Sequence, residues 1–340
     1  MHWIKDFLTE RHQYVSVNGH SSSEIPVISG VPQGSVLGPT LFIYYINDLP
    51  LATSEEIKIF ADDTKGYVPL KCCDDKPRLQ NCIDSLVDWS EKWLLRFNNK
   101  KCKILHLGKN NPKYKYYIKE GDELLQLEES DCERDLGVFV DCNLNFNEHV
   151  TTTVAKARRV SGLIMRAISL KTDEIMVPLF KALIRPTLEY ANAVWYPYKR
   201  MYINSLERVQ RQFTKRVFGM EMLDYNQRLA TLNLPSLEYR HMRGDLIETY
   251  KILTNVYDTN TTNSLFTLVD PTNSVTRNNN FKIFKKRVSL KPYQMFFTNR
   301  VINLWNGLPD KIVNATSLNS FKNAIDKHFH DLKYDTNITY

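Results

Sequence analysis

Two adjacent aspartates, Asp62 and Asp63, lie between the β-prone segments Ile57-Lys58-Ile59-Phe60 and Tyr67-Val68-Pro69-Leu70. No other feature of the 340 residues restricts the local fold so tightly. Neighbouring residues of a strand point to opposite faces, so two successive acids serve one place only where the chain reverses. The segment therefore predicts a hairpin with Ala61-Asp62-Asp63-Thr64-Lys65-Gly66 at its tip. Clustered carboxylates repel one another, and a cation relieves them. Mg²⁺ suits such a pair, because it takes oxygen ligands and keeps waters that a substrate phosphate can replace. Asp is also an ordinary turn residue, so the pair by itself leaves both readings open.

The surrounding pattern is mixed and then helical. Residues 14–28 read as two short strands about an Asn18-Gly19 turn. Ser29-Gly30-Val31-Pro32-Gln33-Gly34-Ser35-Val36-Leu37-Gly38-Pro39 is too rich in Gly and Pro for a helix interior, and Pro39 suits the first turn of a helix from Thr40 to Asp48. Leu79, Ile83, Leu86, Trp89, Trp93 and Leu94 recur with a helical period over 74–97. Ile104-Leu105-His106-Leu107 and Leu136-Gly137-Val138-Phe139-Val140 read as strands. After Asp141, Val150, Val154, Ala157, Ser161, Ile164 and Ile168 mark a long amphipathic helix. Further helical periods cover 174–192, 202–218, 236–256 and 317–332, and the Asn- and Thr-rich stretch 257–280 reads as a loop or linker. The fold class expected is α+β: an antiparallel sheet with helices to about residue 141, then a mainly helical part.

Composition narrows the functional classes. Hydrophobic residues make up 43% and charged residues 24% of the chain, values of an ordinary globular protein. The longest apolar run, Leu41 to Ile46, is far below the roughly 20 residues of a membrane span. The N-terminal residues do not form a basic-then-apolar leader. Six cysteines without C-x-x-C or zinc spacing read as reduced thiols. An intracellular protein, neither secreted nor membrane-spanning, is expected. The formal charge of +7 divides into net −4 over residues 1–140 and net +11 over 141–340. A basic second half favours an anionic partner such as nucleic acid, or is simply a solvated basic surface. Its densest segments are Lys199 to Val217, with Arg208, Arg211, Lys215 and Arg216, and Phe281 to Lys291, with Lys282, Lys285, Lys286, Arg287 and Lys291.

A resemblance sharpens this picture. Ser29 to Phe42, followed by Tyr45-Ile46-Asn47-Asp48-Leu49-Pro50, resembles motif B of the reverse transcriptases of non-LTR (LINE-like) retrotransposons, most closely the jockey-like group. Phe60-Ala61-Asp62-Asp63 resembles their motif C. Trp93-Leu94-Leu95-Arg96-Phe97-Asn98 with Lys101-Cys102 is similar to the next palm motif, and Arg134-Asp135-Leu136-Gly137-Val138 to the strand that closes the palm. Leu188 to Ala191, Trp195-Tyr196-Pro197 and Phe297 to Pro309 resemble the thumb and tail of the same elements. The likeness implies a partial palm over 1–141, a thumb-like helical domain over 142–256, a linker over 257–280 and a basic helical region over 281–340. It implies RNA-directed DNA polymerase activity by two-metal nucleotidyl transfer with Mg²⁺ or Mn²⁺. The implied partners are an RNA template, a DNA primer and deoxynucleoside triphosphates, in the nucleus or cytoplasm; the oligomeric state stays open.

Residue roles follow from the same resemblance. Asp62 would ligate metal, with Asp63 a second ligand or structural neighbour. Phe60 would press on the primer end, pack in the core, or both. Pro32, Gln33 and Gly34 would let backbone approach template and nucleotide, since Gly offers a surface free of side chain. Lys101 would sit near the phosphates as a general acid, or be one more solvated lysine. Arg208, Arg211, Lys215, Arg216, Lys285, Lys286 and Arg287 would contact nucleic-acid backbone. Trp195, Tyr196 and Trp305 are read as core. The family's further metal-binding aspartate belongs to motif A, whose place is upstream of Trp3-Ile4-Lys5-Asp6-Phe7-Leu8, and none of Asp6, Glu10 and Glu24 follows an apolar strand. The expectation is a fragment lacking motif A and the fingers, impaired or inactive as an enzyme. The alternative is a non-catalytic nucleic-acid-binding remnant.

Overall fold

Asn18 and Gly19 take φ of +52° and +83°, the left-handed pair that a two-residue hairpin turn requires. In the computed structural model, which describes residues 2–72, 75–262, 264–269 and 281–338, they join strands β2 (Ser16–Val17) and β3 (His20–Ser21). The fold is α+β, with small two-stranded sheets and many helices. It divides into two units, Met1–His106 with Asn110–Ser130, and Leu107–Lys109 with Asp131–Tyr340.

In the first unit helix α1 (His2–Leu8) precedes β1 (Arg11–Gln13), which pairs antiparallel with β4 (Ile25–Val27). Helix α2 (Leu37–Ile46) carries Pro39 in its first turn, as expected, though it begins three residues earlier than the sequence pattern indicated. The hairpin β5 (Glu56–Phe60) and β6 (Asp63–Tyr67) follows, then α3 (Lys76–Lys92). Strand β7 (Lys103–Leu105) pairs in parallel with β10 (Glu128–Ser130), while β8 (Tyr117–Glu120) and β9 (Glu123–Gln126) form a hairpin. Two small apolar clusters hold the unit: Ile46, Leu49 and Trp89 in one, Val87, Tyr116, Ile118 and Leu127 in the other.

The second unit opens with a hairpin, β11 (Cys132–Asp135) and β12 (Val138–Asp141). Leu136-Gly137 is its turn, not part of a strand as expected, because both residues take positive φ. Helix α4 (Asn147–Ala167) buries the stripe read from the sequence: Val150, Val154, Ala157 and Ile164 are inside. The helical period at 174–192 is interrupted. It is built as α5 (Asp173–Leu179), a π-helical turn (Phe180–Ile184) and α6 (Arg185–Glu189). Pro186 has no N–H to give to the carbonyl of Ala182 and its ring crowds that oxygen, so the preceding turn widens. Then come α7 (Asn192–Trp195), α8 (Arg200–Thr214), α9 (Tyr225–Thr231), α10 (Leu237–Leu253) and a short α11 (Thr259–Thr262). Of the expected 257–280 linker, residues 270–280 lie outside the described residues. The unit ends with α12 (Lys291–Gln294), α13 (Phe297–Asn306), α14 (Asp310–Val313) and α15 (Leu318–His328). Trp195, Tyr196 and Trp305 are buried, as the sequence reading held.

Two buried histidines make this core sensitive to acid. The His149 ring is tilted against Trp195 with centres 4.9 Å apart, its Nδ1 accepts the Phe139 N–H at 3.3 Å, and its Nε2 is 3.4 Å from Thr153 Oγ1. His241 Nε2 is 3.1 Å from the Leu188 carbonyl oxygen. Burial lowers both pKa values to about 4, for His149 with help from the charge of Arg134. The unfolded chain takes up these protons near pH 6.5 and the folded chain only near 4, so each histidine stabilises the fold above that window and less as pH falls through it. Glu207, raised by burial to about 7, acts in the opposite direction. The expected result is therefore a difference between two proteins. His149→Asn, whose Oδ1 can accept the Phe139 N–H, loses less stability than the parent between pH 7.5 and 4, on the order of 3 kcal/mol less by denaturant unfolding. Identical slopes in the two proteins would contradict the assignment.

Candidate functional site

The β5–β6 hairpin is tighter than the sequence indicated. The second strand begins at Asp63, four residues before the expected Tyr67, leaving Ala61-Asp62 as a two-residue loop. Ala61 takes φ +53°, the left-handed conformation this reversal needs. Phe60 pairs with Asp63, and residues directly opposite share a face. Ile57 and Ile59 point inward, Ile57 buried and Ile59 half-buried, while Phe60, Asp62 and Asp63 are exposed. Ile57 lies opposite Gly66, where a Cβ would come within 2.9 Å of Ile57 Cδ1. The glycine thus makes room for the one fully buried side chain of the ribbon.

A two-stranded ribbon is marginal without support, and this one is tied down at its base. Arg78 on α3 clamps Glu55 with two bonds, Nε to Oε1 at 2.9 Å and Nη2 to Oε2 at 2.7 Å. Its Nη1 reaches Asp75 Oδ1 at 3.0 Å. Asp75 Oδ2 accepts the backbone N–H groups of Lys71 and Cys72 at 2.7 and 3.0 Å. These donors, with Arg78, hold the Asp75 carboxyl well below its ordinary range. Trp89 Nε1 donates to Asp48 Oδ1 at 3.1 Å, and Tyr45 donates to the Trp93 carbonyl, which joins α2 to α3. Neither Asp62 nor Asp63 enters an ion pair among the described residues. Among the same residues no three His, Cys, Asp or Glu side chains gather to hold a metal ion.

The Gly-rich loop before α2 is shaped by contacts of its own. Gly34 takes φ +79°. Ser35 donates its hydroxyl to the Pro32 carbonyl at 2.7 Å and accepts the Gly38 N–H at 3.0 Å. Arg11 Nη2 donates to the carbonyls of Ser29 and Gly30. Gln33 and Gly34 are exposed and Pro32 half-buried. A Cβ on Gly38 would lie 2.8 Å from the Pro32 oxygen and 2.9 Å from Ser35 Oγ. Gly38→Ala is expected to cost about 1–3 kcal/mol in denaturant unfolding, because the loop must move away from the helix. A neutral result would show that the loop yields freely.

The remaining predicted residues are scattered. Lys101 is exposed on the turn that precedes β7, its N–H donating to the Asn98 carbonyl. Arg208 and Arg211 are exposed on α8, with Arg211 stacked 4.7 Å over the Tyr225 ring. Lys215 and Arg216 lie beyond the end of α8, so the four do not line one helix as the sequence reading supposed. Instead Arg216 meets Arg158 of α4 across a groove of about 240 Å³ that Ser161, Gly162, Val209 and Gln212 also line. The sequence gives no sign of this role for Arg158, which is exposed on α4 and meets Arg216 only through the packing of α4 on α8. Lys285, Lys286 and Arg287 are consecutive and exposed on the extended segment before α12. No helix among the described residues is long and apolar enough to cross a membrane.

The hairpin lies within the part of the chain that matches a known family. Residues 1–138 match the family described as reverse transcriptase (RNA-dependent DNA polymerase). The chain is similar to the RNA-directed DNA polymerase from the mobile element jockey of Drosophila melanogaster, 30% identical over 229 residues, 64% of this chain and 25% of that protein. The jockey polymerase of Drosophila funebris is 28% identical over the same length, with the same coverage. The probable RNA-directed DNA polymerase from transposon X-element of Drosophila melanogaster is 25% identical over 236 residues, 66% of this chain and 26% of that protein. The chain thus spans about a quarter of the length of the curated relatives it matches.

Proposed function

From the match of residues 1–138 to the reverse transcriptase (RNA-dependent DNA polymerase) family we propose that the β5–β6 hairpin is the metal-binding hairpin of an RNA-directed DNA polymerase of the non-LTR retrotransposon kind. The observation that carries the reading is the reversal at Ala61-Asp62, which sets two exposed carboxylates at the end of a hairpin inside the matched residues. In this reading residues 1–141 are a partial palm, 142–256 a thumb-like helical domain, 257–280 a linker or loop and 281–340 a basic helical region, acting in the nucleus or cytoplasm.

The donor set fits a hard divalent ion, Mg²⁺ or Mn²⁺, since such ions are bound by one or two carboxylates together with waters and substrate phosphates. Asp62, free in the loop, would be the principal ligand and Asp63 the second. A bound ion would lower the pKa of the primer 3′-hydroxyl and stabilise the departing pyrophosphate. Phe60 has its ring exposed on the face it shares with Asp63, so it is available to the primer end and is not spent on the core. The exposed backbone at Gln33-Gly34 would face template and incoming nucleotide, and Lys101 would donate a proton to the pyrophosphate. Arg208, Arg211, Lys215, Arg216, Lys285, Lys286 and Arg287 would neutralise phosphates of the template–primer. Because two carboxylates leave most of an ion's shell to other donors, the 340 residues acting alone are expected to be a slow polymerase, and a nucleic-acid binder at the least.

The test is primer extension on an RNA template with Mg²⁺ or Mn²⁺, together with Mn²⁺ binding followed by water-proton relaxation, which needs no turnover. Both signals should fall in the Asp62→Asn, Asp63→Asn double variant. Mn²⁺ binding that survives both substitutions would remove the site.

A further inference from the structure

From Pro271 to Pro309 the sequence contains no Asp or Glu. Residues 281–284 of this stretch are a strap fastened to α13. Asn306 accepts the Ile283 N–H at 2.9 Å through Oδ1 and donates to the Ile283 carbonyl at 2.8 Å through Nδ2, as a strand partner would. Trp305 Nε1 donates to the Phe281 carbonyl at 2.8 Å. On its other side the strap meets residues 267–269: Phe284 N–H donates to the Thr267 carbonyl and Val269 N–H to the Lys282 carbonyl. The next residues, Lys285, Lys286 and Arg287, form one wall of a cleft of about 430 Å³. That volume lies in the range of small-molecule sites, about 300–1,000 Å³.

The opposite wall is a row of amides. Asn303 and Asn299 lie on α13, at a spacing that puts them on one helix face, and Gln294 ends α12. Each is oriented by one bond that leaves its other end to the cleft. Asn303 Oδ1 accepts Lys285 Nζ at 2.8 Å, Asn299 Nδ2 donates to the Tyr293 carbonyl at 2.8 Å, and Gln294 Nε2 donates to the Val288 carbonyl at 2.9 Å. Lys286 and Arg287 make no ion pair among the described residues. The exposed rings of Phe284 and Tyr293 stand on the two segments that supply these walls.

We infer that this cleft binds one unstacked nucleotide of a single-stranded nucleic acid, its phosphate against Lys286 and Arg287 and its base edge against the amides. The inference rests on the nucleic-acid reading of the basic second unit and not on the hairpin chemistry. Cations beside aromatic and amide side chains suit a single strand, whose bases are free to stack and to bond on their edges. A base stacked within a duplex reaches a concave site only by being flipped out, so a duplex would touch the lysines alone.

The test is fluorescence anisotropy of the full chain with 12-nucleotide single-stranded RNA, single-stranded DNA of the same sequence, and a duplex of the same length, over a series of salt concentrations. Lys286→Gln with Arg287→Gln should lower the salt slope for single strands by about 0.7, the value for one lost phosphate contact. Asn303→Ala should weaken single-strand binding about tenfold and leave duplex binding unchanged, because it removes a base-edge donor and no charge. The RNA and DNA arms tell which strand the cleft prefers. Equal losses on duplex and single strand, or no loss, would overturn the inference. Failure of the polymerase reading shows separately, in Mn²⁺ binding by the parent protein, a signal on which the single-strand measurements do not depend.

Discussion

Asp245→Ala is expected to destabilise the chain by about 3–5 kcal/mol, the cost of stranding a buried charge by removing its partner. Asp245 on α10 and Arg300 on α13 are both fully buried and joined by two bonds, Nε to Oδ2 at 2.7 Å and Nη2 to Oδ1 at 2.8 Å. Arg300 also donates to the Met295 carbonyl at 2.9 Å and to the carbonyls of Asn192 and Ala193, and its guanidinium lies 5.2 Å from the Tyr196 ring centre. Removing the carboxylate leaves the guanidinium without its counter-charge, in a place water does not reach. A loss of this size is a large share of the roughly 5–15 kcal/mol that holds a domain together. The double variant Asp245→Leu, Arg300→Met should recover most of the loss, since a buried ion pair is often replaceable by apolar groups of similar volume. Denaturant unfolding followed by ellipticity measures both. A cost below about 1 kcal/mol for Asp245→Ala would mean that Arg300 finds other partners or water.

The pair also shows what the sequence could and could not reveal. Asp245 and Arg300 stand 55 positions apart on different helices, and no periodicity joins them. By contrast, Asn18-Gly19 states its own turn, and the 4-3-4 spacing from Val150 to Ile168 states which face of α4 is buried, because both signals are local. The errors have local causes too. Leu136-Gly137 looks like strand by its apolar neighbours, yet Gly137 at φ +87° closes a hairpin. The 174–192 period is real, but Pro186 turns part of it into a π-helical turn. At the candidate site, the acids and their hairpin were legible because strand, reversal and strand are contiguous. The clamp beneath them, Arg78 on Glu55, spans 23 positions and was not. Arg158 was missed for the same reason: its meeting with Arg216 depends on how α4 packs on α8. Asn299 and Asn303 of the amide row belong to the stretch Phe297 to Pro309, whose resemblance to the thumb and tail of a family assigns them no task.

If the hairpin is the metal site proposed above, Asp62→Asn reduces nucleotide addition by about 10³-fold, because a metal ligand supplies several kcal/mol of transition-state stabilisation and each 1.4 kcal/mol is a factor of ten. Asp63→Asn is expected to cost less, about 10–100-fold or roughly 1.4–2.7 kcal/mol, as the lesser of the two proposed ligands. The difference follows from the hairpin. Asp62 belongs to the two-residue loop, whereas Asp63 is the first residue of β6 and pairs with Phe60. Its side chain is therefore committed to the face that Phe60 shares. Neither change should unfold the ribbon: both positions are exposed, and asparagine is at home in turns. Single-nucleotide additions to a primer on an RNA template, counted at high protein concentration, measure the rates, and the ellipticity spectrum checks the fold. Non-additivity is part of the expectation, since groups that act on one ion fail together and the double variant should be little worse than Asp62→Asn. Equal effects of the two single changes would make them equivalent ligands and remove the distinction drawn from the turn; no effect of either would place the chemistry elsewhere.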